Sequence, residues 1–85
     1  MDEIISACLN GDLERLKLLL CKNKINDYST KLLNIAIEED YIDIVEYLVE
    51  EIFKNKLVDK QFLLKSIESN NRNIFYYLLK FYNFN

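Results

Sequence analysis

An all-α fold of about three stacked helix-turn-helix units is what this sequence predicts, and three observations predict it. The 85 residues contain no proline and a single glycine, so the chain has almost no strong helix breakers and long helical segments are its most accessible conformation. Apolar residues recur at helical spacing: Ile4, Ala7 and Cys8, then Leu13, Leu16, Leu19 and Leu20, which line one stripe along each of two successive helices. The pattern then returns twice, because the small residues Ala7, Ala36 and Ser66 stand 29 and 30 positions apart with matching neighbours around each.

Taken in chain order, the three blocks share one register. Three residues before the small residue stand Ile4, Leu33 and Leu63, and one after it Cys8, Ile37 and Ile67. Nine after come Leu16, Val45 and Phe75; twelve after, Leu19, Leu48 and Leu78; thirteen after, Leu20, Val49 and Leu79. This predicts inner helices at about 2–10, 31–39 and 60–69, which the small residues let approach closely. Outer helices at about 12–22, 41–54 and 71–82 cover them. Between the two helices of each block stand Gly11, Asp40 and Asn70, residue types that tolerate the left-handed conformation ending a helix. Asp12 and Asn71, one residue on, are expected to cap the next helix. Glu14 and Asp43 fall in its first turn, where the helix dipole favours negative charge. Polar linkers at 22–29 and 55–59 separate the blocks. The chain is thus one domain, 1–85, with repeats at about 1–29, 30–58 and 59–85.

Composition bounds the chemistry. A chain of this length with 51% hydrophobic residues suits one compact domain, able to bury roughly 60 to 65% of its unfolded surface. Cys8 and Cys21 lie on apolar helical faces, and there is no histidine. That excludes the usual zinc spacings, argues against a disulfide scaffold, and predicts reduced core thiols with no metal. Met1-Asp2-Glu3 lacks the basic region and apolar core of a signal peptide, and no apolar run nears the roughly 20 residues that span a bilayer. A cytoplasmic setting is expected, or the host cytoplasm if the source is viral. Without histidine, a glycine-rich phosphate loop or a cysteine beside an activating base, no catalytic residue and no cofactor is predicted.

Charge is unevenly placed. Residues 1–53 hold twelve acids and five bases, net −7, and residues 54–85 hold two acids and six bases, net +4. The densest acidic run is Glu38, Glu39, Asp40, Asp43, Glu46, Glu50 and Glu51, which would steer a basic partner or simply be a solvated face. Within it Glu46 and Glu50 are a like-charged i, i+4 pair. The basic third block, with Lys54, Lys56, Lys60, Lys65, Arg72 and Lys80, is where weak nucleic-acid contact would occur, although no recognised nucleic-acid motif is present. The C-terminal end is rich in rings. Phe81, Tyr82 and Phe84 form either a cap folded back over the third block or, together with Tyr76, which stands where an outward residue is expected, the seam of a homodimer or partner contact.

The sequence Leu33-Asn34-Ile35-Ala36-Ile37, followed by Asp40-Tyr41-Ile42-Asp43-Ile44-Val45-Glu46-Tyr47-Leu48-Val49, resembles the ankyrin repeat: an L-H-x-A core, a turn residue and an outer helix of type E-I-V-x-x-L-L. Ala7 to Leu20, centred on Gly11-Asp12-Leu13-Glu14, is similar again, and Lys24-Ile25-Asn26-Asp27 resembles the hydrophobic-Asn step into the next repeat. The likeness covers nearly the whole chain, with the third repeat weakest. Three departures stand out. The period is shorter than the family's, which implies truncated fingers. Thr30-Lys31-Leu32 and Lys60-Gln61-Phe62 replace the threonine-proline step. Ile5, Asn34 and Leu64 replace the structural histidine, so the hydrogen-bond ladder that histidine makes between repeats is expected to be lost.

The resemblance implies a non-catalytic binding module. Carried over position by position, its contact residues are Leu9, Asn10, Glu38, Glu39, Glu68 and Ser69 on the inner helices and Asp27, Tyr28 and Thr30 on the first linker, with Asp40 and Asp43 added from the acidic run. Another protein with a basic surface is the expected partner. If these 85 residues are the whole protein, there is no effector domain to recruit, and surface occlusion is the expected mode. A small inhibitor, an immunity protein, or a viral or phage anti-defence protein such as an anti-CRISPR would act so. The alternative is a self-assembling structural or adaptor protein, and the third reading a weak nucleic-acid binder.

Overall fold

The computed structural model describes residues 2–22, 29–53 and 60–82, apart from the side chains of residues 21, 22, 29, 52 and 53. Among these residues every element is helical. The inner helices are α1 (Glu3–Leu9), α3 (Ser29–Glu38) and α5 (Lys60–Glu68). The outer ones are α2 (Leu13–Lys22), α4 (Ile42–Tyr47) and α6 (Arg72–Leu79). Each inner helix packs on its own outer helix, and α3 lies between α1 and α5. Ala7, Ala36 and Ser66 are all buried at these approaches, and the Ser66 hydroxyl donates to the Leu63 carbonyl at 2.7 Å.

The three inner-to-outer turns are the same object built three times. Gly11, Asp40 and Asn70 have φ of 71°, 61° and 59°. In each turn, the N–H of the next residue (Asp12, Tyr41, Asn71) donates at 2.9 Å to the carbonyl of the small residue five back. The left-handed residue itself donates three back, to Cys8, Ile37 and Ile67, at 3.0 to 3.3 Å. This double closure satisfies carbonyls that a helix end leaves open.

Two parts of the expected helix pattern change. α3 opens at Ser29, two residues earlier than the spacing predicts. The second outer helix is not α-helical to its end, since Leu48–Phe53 winds as a π-helix. The step from Ala36 to Ser66 is one residue longer than that from Ala7 to Ala36, yet the registers still agree at Leu48 and Val49. The surplus must therefore enter between Val49 and Phe62, an interval the π-helical stretch begins; an i→i+5 turn takes up one residue more than an α turn.

The caps also differ from expectation. Asp2 caps α1, accepting from the Ile4 and Ile5 amides at 2.8 and 3.5 Å, and Asp12 accepts from the Arg15 amide at 3.2 Å. Asn71 makes no side-chain cap to α6. Its amide instead donates to the Ile37 carbonyl of the preceding repeat. Tyr41, in the same slot one repeat earlier, also leaves its helix uncapped, and its hydroxyl donates at 3.1 Å to the Leu9 carbonyl. Inter-repeat hydrogen bonds are thus supplied from the first position after the turn, where no histidine is needed.

Burial follows the stack. Ile4, Leu33, Leu63, Cys8, Ile37, Leu16, Val45, Leu20 and Val49 are buried, as the shared register requires. Four members of the pattern are not: Ile67 is 56% exposed where Cys8 and Ile37 are fully buried, and Leu19, Phe75 and Leu79 are only partly buried. In the first two repeats the following repeat covers the positions that Ile67, Phe75 and Leu79 occupy in the third. After the third, the described residues contain no further repeat to do so.

Candidate functional site

Two surfaces have the chemistry of contact sites, and the repeat geometry positions both. The first lies across the inner helices. Asn34 on α3 and Gln61, Leu64, Lys65 and Glu68 on α5 line a groove of about 300 Å³. Leu64 is 48% exposed within it, an apolar residue ringed by polar groups. Positions 61, 64, 65 and 68 form the helical stripe opposite the core stripe of Phe62, Leu63 and Ser66. At the groove's edge Lys65 is ion-paired with Glu38 of the preceding repeat.

Of the contact residues inferred from the sequence, Thr30, Glu38, Glu39, Asp40, Asp43 and Glu68 are all exposed, as are Leu9 and Asn10, while Ser69 is half-buried. They do not form one cluster. Glu38 and Glu68 end successive inner helices, Glu39 and Asp40 occupy a turn, and Asp43 belongs to the outer helix α4. Asp27 and Tyr28 lie outside the described residues. Asn34, Gln61 and Leu64 escaped sequence reasoning as surface groups, since the family pattern treats 34 and 64 as the histidine slot, and Lys65 was read only as part of the basic block. The signal for them was the polar i, i+3, i+4, i+7 stripe on α5 itself.

The acidic run is not free charge throughout. Glu38 holds Lys65, and the Tyr77 hydroxyl of α6 donates to Glu50 at 3.5 Å. Burial first, then the Glu50 and Glu46 carboxylates, push the Tyr77 hydroxyl up to about 12, so it stays a donor across the neutral range. In the matching outer-helix contact one repeat earlier, the Lys17 ammonium stands 5.4 Å from the Tyr47 ring centre. Cys8, a free buried thiol, donates to the Leu32 carbonyl at 3.5 Å and is pushed up to about 11 by burial. At that pKa it is a poor nucleophile. Among the described residues no three His, Cys, Asp or Glu side chains gather as metal ligands, and no helix is long and apolar enough to cross a membrane.

The second surface is the end of the stack beyond the third repeat. Ile67, Asn70, Arg72, Phe75 and Tyr76 line a cavity of about 230 Å³ there, and Tyr76 is 63% exposed. Phe81 and Tyr82 do not stand out into solvent; both pack partly buried against the core, with the Phe81 ring 5.3 Å from that of Tyr77. Phe84 lies outside the described residues.

The family model for ankyrin repeats (3 copies) matches residues 4–85. No curated protein and no solved structure gives a significant match to the chain.

Proposed function

The chain belongs to the ankyrin-repeat family, and from that premise we propose that it binds another protein through the inner-helix face of its second and third repeats, acting by covering the partner's surface. Ankyrin repeats are generally protein–protein interaction modules and typically not enzymes. The observation that carries the reading is the groove between α3 and α5, where exposed Leu64 sits among Asn34, Gln61, Lys65 and Glu68. An apolar anchor with a polar rim is the usual anatomy of a protein contact. Glu39 and Glu68, both exposed and neither ion-paired among the described residues, favour a partner with a basic surface and a salt-sensitive association.

Occlusion is the mode proposed, as by a small inhibitor, an immunity-type protein or an anti-defence protein of viral or phage origin. A reducing cytoplasmic setting fits the buried free thiol of Cys8. The nucleic-acid reading draws less support, because Lys65 is engaged by Glu38 and Lys80 stands 5.9 Å from the Tyr77 ring centre.

Crosslinking in the native cell should retrieve one dominant protein partner. Its affinity for the purified chain is expected to fall at least about tenfold with Leu64→Asp, and similarly with Glu39→Lys plus Glu68→Lys or on raising salt from about 50 to about 300 mM. These variants leave the Glu38–Lys65 pair in place. An affinity that none of them alters, in variants with unchanged circular dichroism, overturns the reading.

A further inference from the structure

The two ends of the stack are chemically unlike. Four residues before the small residue, and eight after it, the second and third repeats carry Leu32 with Ile44 and Phe62 with Ile74, all buried. The first repeat carries Glu3 and Arg15 at those positions, exposed and ion-paired with each other at 3.9 Å. The first end therefore carries a polar pair where the later repeats carry buried apolar residues. The last end has the opposite character: Ile67, Phe75 and Leu79 occupy positions that a following helix pair covers in the earlier repeats, and exposed Tyr76 lies beside them.

We propose that two copies of this chain join through this last face, third repeat against third repeat, about a two-fold axis running parallel to α5 and α6. Head-to-tail stacking would set the apolar end against Glu3 and Arg15, burying an ion pair under hydrocarbon. Only the like-to-like arrangement covers apolar surface with apolar surface, and it closes at two copies. The axis is fixed by the rest of the face. With it parallel to the helices, α5 of one copy lies over α6 of the other with their connecting turns at the same level. Glu68, ending α5, then meets Arg72, starting α6, and the two-fold makes this pair twice. Neither residue has an ion-pair partner among the described residues of a single chain. Glu38, the counterpart of Glu68 one repeat earlier, is itself paired across its junction, with Lys65 of the next inner helix. The seam shares Glu68 with the rim of the inner-helix groove, but its apolar part, Ile67, Phe75 and Leu79, lies outside that groove, and its failure would leave the proposed function standing.

Sedimentation equilibrium of the full chain from about 5 to 500 µM tests it, a range suited to an interface at the small end of stable contacts. A reversible monomer–dimer equilibrium is expected, weakened at least tenfold by Ile67→Asp, an exposed substitution that leaves the core untouched, and unaffected by Leu64→Asp. Glu68→Arg alone and Arg72→Glu alone should each be monomeric, and an equimolar mixture of the two should restore a dimer containing one of each. A wild-type monomer throughout the range overturns the proposal. So does a dimer indifferent to Ile67→Asp, or a charge-swapped mixture that stays monomeric.

Discussion

The junction between the first and second repeats and that between the second and third join the same elements in the same register, yet they are fastened by different chemistry. At the first, the Tyr41 ring lies over Gly11, so close that a Cβ on Gly11 would stand 3.0 to 3.3 Å from it, and the hydroxyl reaches on to Leu9. Cys8 adds a thiol bond to Leu32, and Lys17 faces the Tyr47 ring. At the second, the residue under the equivalent side chain is Asp40, with a Cβ of its own, and the shorter Asn71 stops one carbonyl sooner, at Ile37. There Lys65 pairs with Glu38, and Tyr77 bonds Glu50. An aromatic at the slot after the turn thus demands glycine in the turn below it, whereas an amide permits any residue that tolerates positive φ. The only glycine in the chain is where the first junction requires it.

The largest effect expected from breaking this contrast comes from the turn residues. Asn holds φ of 59° at position 70, so Gly11→Asn keeps a residue type suited to the backbone, and what it loses is the Tyr41 contact. A displaced ring and an unmade hydrogen bond should cost about 2 kcal/mol. Asp40→Gly at the second junction relieves a left-handed non-glycine residue while loosening the unfolded chain, and should change stability by under about 1 kcal/mol. Urea unfolding of both variants decides it. Equal losses at the two sites would mean that Tyr41 and Asn71 play the same part after all.

A pH scale separates the junctions next. The Cys8 thiol is raised from 9.0 to about 11 in the fold, so its neutral form contributes stability fully below pH 9 that is lost as pH rises through 11. The Tyr77 hydroxyl at the second junction, raised from 10.0 to about 12, has the same sign one unit higher. The melting temperature should therefore begin to fall near pH 9, and Cys8→Ala should flatten the stretch from pH 9 to about 10 and make the decline above it shallower, leaving the part between 10 and 12 that Tyr77 governs. Parallel melting curves for wild type and variant from pH 8 to 11 would remove Cys8 from the first junction's fastening.

Much of the fold was legible because it is local. The stripe positions and the turn residues Gly11, Asp40 and Asn70 are set by periodicity and by backbone tolerance, both of which a short stretch of sequence states. What fastens the repeats was not legible, since Tyr41 meets a carbonyl 32 positions back, Asn71 one 34 back, and Lys65 an acid 27 back. Nothing in the residues flanking Asn71 separates a cap from a bridge; its amide can do either, and the neighbouring repeat decides. Ile67 and Phe75 fail for another reason. A periodic pattern tells which face a residue is on, not whether anything covers that face. For the candidate site Glu38, Glu39 and Glu68 came from the family likeness and Asp40 and Asp43 from the acidic run, but Leu64 was hidden by its place in the histidine slot, and Lys65 was read with the basic block and not as the partner of Glu38 within the same chain.

That ion pair sets the smallest and most specific contrast between the junctions. Glu38 and Lys65 are 49% and 31% exposed, so water and salt screen their attraction, and a pair of this kind contributes about 0.2 to 1 kcal/mol. No ion pair among the described residues crosses the first junction, since Arg15 and Glu3 belong to the same repeat. A double-mutant cycle with Glu38→Gln and Lys65→Met should return a coupling energy in that range, shrinking toward zero as salt is raised to about 1 M, where the Debye length falls to about 3 Å. The coupling between Gly11→Asn and Tyr41→Phe, which rests on packing and a neutral hydrogen bond, should be unchanged by the same salt. A coupling at Glu38 and Lys65 that withstands salt would mean the pair is shielded from solvent, and the inner-helix groove it borders would then be drier and more enclosed than its exposed Leu64 implies.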